Sequence, residues 1–382
     1  MRIGIVGNYG NDNQGDESIL EGIITQLENA YPIERKDILV FTNNPEQTKE
    51  RYGTDAAPLF IYRKFDPMKF IATIRHHRKI FPTLDFLIIG GGGILQDLYR
   101  NNPFVYGMYG LLVKMTKVPA AIYGPGVGPL KTTIGRKFIK MIANAAKVIA
   151  VRDEGSKQLL QRIGVRKPIH VIMDPAFYVP FTEEQHKNSK PLKIGVTAIT
   201  YFHRSYWPTH DEAKYGGYIK GMAENLDHIL DKEPDAEIQF FATKHPFDTN
   251  TTKDIRELMR HKERTAVCDR MLTHREIINL IAEQDLVIGT RLHSLILSIV
   301  AKTPVIAVGY HDKVTDVMDA VGCKDYTLTI DQVSNDPDCM LPIYENMKND
   351  WPAILDKFDK LDAKIVQESP NGMDLVKTLH SK

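Results

Sequence analysis

Basic and hydroxyl side chains follow four separate apolar segments in the second half of the sequence. In IGTRLHSLILS (288–298), Arg291 and His293 come directly after a buried-strand pattern and at the start of a helical one. The amides and dipole of a helix N-terminus favour bound anions. The other three segments are followed by Tyr201, His203 and Arg204, by Lys244 and His245, and by Tyr310, His311 and Lys313.

These side chains would meet if the four segments were strands of one parallel sheet, whose carboxyl ends share an edge. Arginine binds carboxylate or phosphate through two hydrogen bonds, lysine supplies a compact charge, and histidine exchanges protons near neutral pH. The chain has 49 Lys and Arg against 48 Asp and Glu, so composition alone does not explain such a concentration of cations. The pattern therefore predicts an anion site, although any one of these histidines alone is more often a surface residue.

Glycines and polar residues follow the first predicted strand, in GNYGNDNQGDESIL. Asn13 and Asp16 can accept hydrogen bonds, and Asp16 lies near a predicted helix N-terminus, where negative charge is favoured. A capped turn is the alternative interpretation. The loop lacks the GxGxxG spacing and the acidic residue that contacts a dinucleotide ribose, so a nicotinamide cofactor is not expected.

A run of four glycines, 90–93, follows another predicted strand and precedes Ile94, Leu95, Gln96 and Asp97. Glycine lets a ligand approach the backbone closely, and a structural turn would need only two. The run therefore predicts a ligand-facing loop. Arg152 also ends a predicted strand; it is expected either to point into a crevice or to pair with Asp153 or Asp174.

Short apolar runs alternate with amphipathic stretches of helical length along the chain, which predicts parallel sheets with crossover helices in an α/β fold. A polar stretch at 179–193, with a proline near each end, is the predicted linker. We expect two Rossmann-like domains, 1–180 and 190–345, facing across a cleft as in the GT-B arrangement, and a helical extension at 346–382. The predicted strands are 2–8, 37–43, 86–92, 120–126, 148–153, 169–175, 193–199, 237–243, 266–270, 286–290 and 305–310.

Composition is that of a globular protein of about two domains: 382 residues, 43% hydrophobic and 25% charged. The three cysteines are too few and scattered for a disulfide framework or a structural zinc site. Without a signal-peptide pattern or an apolar run of membrane-spanning length, we expect a cytoplasmic protein. Residues 62–81 carry six Lys or Arg against one Asp, so this stretch is either a solvated helix or a peripheral contact with an anionic membrane.

Several of these segments together resemble the polysaccharide pyruvyl transferases, and most closely the type that modifies the secondary cell-wall polysaccharide anchoring surface layers in Gram-positive bacteria. The likeness runs in order from about residue 3 to about residue 325. It is carried by GNYGNDNQGDESIL, the glycine run, VRDEGS, MDPAF and IGTRLHSLILSIVAKTPVIAVGYHDK.

The resemblance implies phosphoenolpyruvate as donor and a 4,6-linked pyruvate ketal formed on a sugar such as N-acetylmannosamine in a lipid-linked precursor. The family's Arg-x-His donor signature falls on Arg291, Leu292 and His293, and its Arg-Asp-x-x-Ser element on Arg152, Asp153 and Ser156. His293 is expected as general acid, Arg291 as donor anchor and Asp16 as a base. Further donor contacts are Arg204, Lys244, His245, Lys313 and Arg152; acceptor candidates are Asn13, Asp16, Gly91, Gly92, Gly93 and Asp97.

Two other functions fit the same pattern. A GT-B glycosyltransferase using a nucleotide sugar would also need cations, and a carboxylate for the ribose, for which Asp312 and Asp316 are unconvincingly spaced. A non-catalytic sugar-binding or scaffolding protein would leave the clustered Arg and His unexplained. No acidic cluster of the kind that holds Mg²⁺ is evident, so neither a metal nor a further cofactor is expected. The near balance of basic and acidic residues argues against a nucleic acid partner.

Overall fold

The computed structural model describes residues 1–61, 67–98, 101–182, 190–207, 209–368 and 372–379. The chain divides into two units. The first contains residues 1–11, 16–179 and 372–379; the second contains 12–15 and 180–368. The boundary after Val179 falls at the start of the predicted linker, of which 183–189 lie outside the described residues.

The first unit is built on a parallel sheet of seven strands in the order β3-β2-β1-β4-β5-β6-β7. Its inner strands are rich in Val and Ile and buried, as expected where helices cover both faces of a sheet. The strands are β1 (Ile3–Val6), β2 (Ile38–Thr42), β3 (Asp55–Pro58), β4 (Phe86–Gly90), β5 (Ala120–Tyr123), β6 (Val148–Val151) and β7 (His170–Val171).

The second unit repeats this plan with six parallel strands in the order β10-β9-β8-β11-β12-β13. In both sheets the strand order reverses once, between β1 and β4 and between β8 and β11, and ligands bind at such switch points. The strands are β8 (Lys193–Thr197), β9 (Glu237–Phe240), β10 (Thr265–Val267), β11 (Leu286–Gly289), β12 (Val305–Gly309) and β13 (Thr327–Thr329).

Helices connect successive strands, and several begin at a side-chain cap such as Asn44, Thr132, Asp153 or Thr273. Those with most of their residues in the first unit are α1 (Gln14–Ala30), α2 (Pro45–Tyr52), α3 (Pro67–Ile80), α4 (Asn102–Thr116), α5 (Thr133–Ala145), α6 (Glu154–Arg162) and α15 (Gly372–Lys377). Those of the second are α7 (Glu212–Lys232), α8 (Phe247–Leu258), α9 (His274–Ala282), α10 (Leu292–Val300), α11 (Asp312–Ala320), α12 (Ile330–Asn335), α13 (Leu341–Asn349) and α14 (Trp351–Glu368).

The predicted α/β class is confirmed, and each predicted strand overlaps an observed one. Two short edge strands, β3 and β13, were not predicted. β3 reads DAAP, and its proline is tolerated because an edge strand need not donate every backbone hydrogen bond.

The C-terminal residues differ from the predicted separate extension. Helices α13 and α14 group with the second unit and α15 with the first. Gly372 lies against Tyr123 and Ile172, while Met373 and Val376 are buried. Across the described residues, no helix is both long and apolar enough to cross a membrane.

Candidate active site

The predicted cationic residues of the second unit lie at the carboxyl ends of four adjacent strands. β9, β8, β11 and β12 are neighbours and parallel, so their following loops share one edge of the sheet. These loops carry Tyr201, His203 and Arg204, then Lys244 and His245, then Arg291 and His293, and finally Tyr310, His311 and Lys313. The β8 and β11 loops flank the switch point.

Arg291 is the N-cap residue of α10 and is held by Asp248, in the first turn of α8, the helix that follows β9. Its Nε and Nη2 donate to Asp248 Oδ2 and Oδ1 at 2.8 and 2.7 Å. Its Cζ lies 5.0 Å from the centre of the Tyr206 ring, in cation–π geometry. The guanidinium is therefore fixed in one orientation.

Asp248 is itself enclosed, with a side chain only 1% exposed. Both the amide and the hydroxyl of Thr200 donate to its Oδ1, at 3.3 and 3.1 Å. Burial opposes the charge on Arg291, but the attraction of Asp248 outweighs it, and the pKa of Arg291 lies well above its ordinary value. Arg291 thus stays charged although largely buried.

The partner of Arg291 was missed by the sequence analysis. The segment KHPFD supplied Lys244 and His245 as candidates, and Asp248 stands three residues later in the first turn of α8. The available signal was an acidic residue shortly after β9, a strand of the same parallel sheet whose carboxyl end shares an edge with that of β11.

His293 lies in the first turn of α10 with a buried Nε2. The start of α10 around His293 is held by Ser294, whose hydroxyl donates to the Arg291 carbonyl at 2.7 Å. Gly15, which belongs to the second unit, lies against the imidazole: a Cβ there would overlap Nδ1 and come within 2.7 Å of Cγ. In the same unit, the Gln14 amide donates to the Thr243 carbonyl at 3.1 Å.

The other predicted donor residues differ in their surroundings. His245 Nδ1 is 3.0 Å from the Thr249 hydroxyl, and His311 Nδ1 accepts from the Lys313 amide at 3.3 Å as the cap of α11. Leu292 is 7% exposed, Arg204 is exposed, and Lys244 and Lys313 are half-buried. As a helix cap, His311 has the structural role that a single histidine in this pattern can have without taking part in catalysis.

An aromatic group that the sequence analysis did not identify follows β8. Phe202 and Trp207 stack with ring centres 5.0 Å apart and planes 7° from parallel. Phe202 has a φ of 52°, a conformation that a bulky residue adopts only under strong local constraint. Nε1 of Trp207 is buried and has no hydrogen-bond partner within the described part of the chain.

In the first unit, Asp16 lies at the β1–β4 switch point and is 5% exposed. Asn8 Nδ2 donates to its Oδ2 at 2.8 Å. The adjacent Glu17 is a structural acid, because it accepts from the Gly10 amide and from the Tyr52 hydroxyl at 2.8 and 2.6 Å. Asn13, predicted beside Asp16, groups with the second unit.

Most of the glycine run is explained by packing. A Cβ on Gly90 would come within 2.7 Å of the Tyr123 carbonyl, one on Gly91 would overlap Ile19, and one on Gly92 would overlap Asp16 Oδ1. Gly93 meets only the Gln96 amide, at 3.3 Å. The close approach of Gly92 keeps its backbone beside the Asp16 carboxylate. Packing therefore accounts for the glycines, and their contact with the acceptor remains a prediction.

Arg152 is paired with Asp174, one of the two partners considered: Nη1 and Oδ2 are 2.5 Å apart, and both side chains are buried. Asp174 raises the pKa of Arg152 despite the opposing effect of burial. Asp153 caps α6 through the Ser156 amide, and the Ser156 hydroxyl accepts from the Val127 amide. The Arg-Asp-x-x-Ser element therefore organises the carboxyl end of β6.

Asp97 holds the turn before α5. It accepts from the Lys131 amide and from the Thr132 amide and hydroxyl, at 2.8, 2.5 and 2.7 Å. Burial raises its pKa, but these donors outweigh that effect and the net pKa is lowered. Among the described residues, no three His, Cys, Asp or Glu side chains are grouped to hold a metal ion.

Solved structures of low sequence identity share the fold. The Anabaena protein Alr3699/HepE, solved with UDP and glucose, has a TM-score of 0.64 at 12% identity, with 100% of both chains covered. The UDP-GlcNAc 2-epimerase of Neisseria meningitidis, bound to UDP-GlcNAc, has a TM-score of 0.63 at 13% identity, again over both entire chains. These likenesses establish a GT-B-like fold.

Sequence relatives identify the chemistry. The family described as polysaccharide pyruvyl transferase matches residues 13–312. The amylovoran biosynthesis protein AmsJ of Erwinia amylovora is 24% identical over 365 residues, covering 84% of this chain and 86% of that protein. The family match includes Asp16, the Arg152 and Asp174 pair, Asp248 and the Arg291–His293 turn. The chain therefore belongs to the polysaccharide pyruvyl transferase family and is a pyruvyltransferase.

Proposed function

We propose that the enzyme transfers the pyruvyl group of phosphoenolpyruvate to a sugar of a lipid-linked polysaccharide precursor and forms a 4,6-linked ketal. The observation that supports the donor most directly is Arg291, fixed at the N-terminus of α10 by the buried Asp248. Phosphoenolpyruvate carries a carboxylate and a phosphate on three carbons, so its binding requires several fixed cations close together.

Arg291 alone does not supply the charge, because Asp248 compensates it. Pairing orients the guanidinium, and the further positive charge comes from the neighbouring strand ends that carry Lys244 and Lys313, with Arg204 and His245 beside them. The amides of the α10 N-terminus, including that of Leu292, add partial positive charge. The Trp207 indole N–H is a further donor suited to an anionic oxygen.

The reaction needs no oxidant or reductant. His293, acting as general acid, protonates the methylene carbon of phosphoenolpyruvate, and the adjacent carbon becomes electrophilic. One sugar hydroxyl adds there, the carbon–oxygen bond to phosphate breaks, and the second hydroxyl adds. Of the two hydroxyl protons, one balances the proton given to the methylene carbon and one leaves with phosphate. Arg and Lys stabilise the charge on the departing phosphate.

On the acceptor side we assign Asp16 as the base for a sugar hydroxyl, with Asn13, Asp97 and the backbone of Gly91, Gly92 and Gly93 as further contacts. The acceptor sugar in this proposal is N-acetylmannosamine, on a secondary cell-wall polysaccharide precursor. Arg152 completes the proposed donor contacts, although its pairing with Asp174 also gives it a structural role.

A lipid-linked acceptor would bring the enzyme to the cytoplasmic membrane surface, and we propose α3 as the contact. Met68 and Ile71 are 76% and 44% exposed, and Arg75, Arg78 and Lys79 are exposed on the same helix. Apolar and basic side chains together favour an anionic interface. Residues 62–66 of the predicted segment lie outside the described residues.

Calorimetric titration tests the donor. Phosphoenolpyruvate should bind the wild-type protein, UDP should not, and Arg291→Ala should abolish the signal. Because the donor can require the acceptor, the titration is repeated with a saccharide bearing free 4- and 6-hydroxyls. Binding of UDP without phosphoenolpyruvate would instead support a nucleotide-sugar glycosyltransferase.

A further inference from the structure

The first unit contains an open cavity of about 900 Å³ that the proposed chemistry does not use. It lies where β1, β2 and β3 end, beside the loops that follow them. Its polar and aromatic lining comprises Asn11, Asn43, Asn44, Glu46, Phe60 and Asn101. None of these residues was among the predicted donor or acceptor contacts.

The floor of the cavity is rigid. Both the amide and the side-chain Nδ2 of Asn43 donate to the Tyr9 carbonyl, at 2.9 and 3.0 Å. Asn44 caps α2 by accepting from the Gln47 amide at 3.2 Å. Gly10, with a φ of 73°, approaches this turn so closely that a Cβ would overlap Thr42 and Asn44. Such a floor needs little ordering when a ligand binds.

The lining is rich in amides that come from different segments of the chain. Asn11 follows β1, Asn43 and Asn44 follow β2, and Asn101 precedes α4 without making a side-chain cap. An amide offers both donors and an acceptor. A hydroxyl also does both, so a set of amides matches a ligand that presents several hydroxyl groups.

The charge in the described part of the lining disfavours an anionic ligand. Glu46 is the one charged residue that lines the cavity within the described chain, and no lining residue there is Lys or Arg. A phosphate, diphosphate or uronic acid would meet this carboxylate, with no Lys or Arg among the described lining residues to compensate it. The described lining therefore differs in charge from the cationic loops of the second unit.

Phe60, Leu59 and Val105 add apolar surface to the same cavity. The face of an aromatic ring carries partial negative charge and attracts the C–H groups on the flat side of a sugar ring. Amides for hydroxyls and an aromatic ring for C–H groups together describe a neutral carbohydrate.

We infer that this cavity binds a neutral saccharide, which would be sugar units of the acceptor glycan next to the one that receives the ketal. The inference rests on the proposed function, because it gives the glycan a second point of attachment in the first unit. It extends acceptor recognition to a surface separate from Asp16 and the glycine run.

The test is binding of the full-length protein to an array of short neutral oligosaccharides and their phosphorylated or uronic-acid-containing counterparts, with and without saturating phosphoenolpyruvate. Asn101→Ala removes a lining amide that caps no helix, and Glu46→Gln removes the charge. Asn144→Ala, exposed in α5, is the matched control. We expect wild type and Asn144→Ala to bind neutral glycans, and Asn101→Ala to bind them about tenfold more weakly, the loss of one good hydrogen bond.

Glu46→Gln discriminates further: it should leave neutral glycans bound and relax the rejection of acidic ones. Equal binding by wild type and Asn101→Ala, binding restricted to acidic glycans, or no glycan binding at all would overturn the inference. Phosphoenolpyruvate affinity, titrated in the same preparations, separates the two proposals. If phosphoenolpyruvate binds and Asn101→Ala has no effect on glycans, only the saccharide cavity fails; if phosphoenolpyruvate never binds, the proposed donor fails.

Discussion

The carboxylate of Asp248 grips the guanidinium of Arg291 through two hydrogen bonds, from Nε at 2.8 Å and from Nη2 at 2.7 Å. This geometry uses one edge of the guanidinium for the protein. The Nη1 edge faces Tyr206, whose hydroxyl lies 3.4 Å away. Donor recognition by Arg291 must therefore be built around an ion pair that is already formed, which makes Asp248 a positioning residue.

Removing Asp248 should destabilise the fold. Asp248→Ala would leave a largely buried Arg291 charge uncompensated, at a cost of about 3 kcal/mol. Asp269→Ala breaks the exposed pair with Lys253, whose side chains are 43% and 58% exposed, and should cost under about 1 kcal/mol. Urea unfolding measures both, and equal losses would show that burial of the Arg291 pair carries no special weight.

Arg291→Lys should weaken phosphoenolpyruvate binding by about tenfold or more with the fold retained. Lysine keeps the charge but cannot bind Asp248 and the donor through a planar fork. Arg270→Lys, at the exposed pair with Glu276, is the control that should leave the affinity unchanged. An unaltered dissociation constant for phosphoenolpyruvate in Arg291→Lys would show that donor binding does not depend on the planar guanidinium.

His293→Gln should lower turnover by about 10²-fold or more, while phosphoenolpyruvate affinity changes only a few-fold. Glutamine preserves polarity and approximate size but cannot deliver a proton. Single-turnover kinetics and a donor titration separate the two effects. Near wild-type turnover would rule out the general-acid assignment.

Gly15→Ala should impair catalysis without unfolding the protein. The new methyl group would displace the His293 imidazole, which Gly15 contacts, whereas alanine itself favours a helix. Gly216→Ala in α7 is the matched control, because a Cβ there meets no atom within 4 Å. We expect about a tenfold loss of turnover in the first variant and none in the second; similar activities would mean that the imidazole can move freely.

The free energy of unfolding should decrease as the pH is lowered, because His77 is buried in the neutral form. Burial lowers the pKa of this side chain to about 4, and its Nε2 donates to the Pro58 carbonyl at 3.0 Å. Since the pKa is lower in the folded than in the unfolded state, the contribution is complete above about pH 6.5 and is lost as pH falls towards 4.

Between pH 7.5 and 5 the wild-type protein should lose about 2 kcal/mol from this group. His77→Gln, which does not titrate, should show a correspondingly smaller loss, and the exposed His210→Gln should behave as wild type. Urea unfolding followed by circular dichroism at the two pH values measures the difference. Parallel pH dependence in all three proteins would contradict the assignment to His77.

The sequence predicted the fold well because central strands can be recognised from their residues. Runs such as IGIV and VIAVG are apolar throughout, as buried parallel strands must be. β3 and β13 pair with one neighbour each, so partial exposure leaves no continuous apolar run to detect. The division of 346–382 between the units was also invisible, because α14 and α15 both show ordinary helical patterns.

The site was predictable only in part, for a different reason. Parallel topology places Arg291 and the other strand-end cations at one edge, and sequence periodicity conveys that topology. Which charge pairs with which depends on side-chain geometry: Arg291 pairs with Asp248 in the first turn of α8, and Arg152 pairs with Asp174 rather than Asp153. The glycine run shows the same limit, since contacts with Ile19 and Asp16 explain residues that the spacing assigned to a ligand.

Residues 372–379, which contain α15, belong to the first unit, although nearly two hundred residues of the second separate them from Val179. Tyr123 and Ile172 pack against Gly372, and Met373, Val376 and Leu379 bury their side chains there. During synthesis on the ribosome, the first unit must wait for this helix before its packing is complete. The packing of the first unit is therefore completed only after the whole second unit has been synthesised, and a nascent chain stalled within the second unit would present an unfinished apolar surface to chaperones.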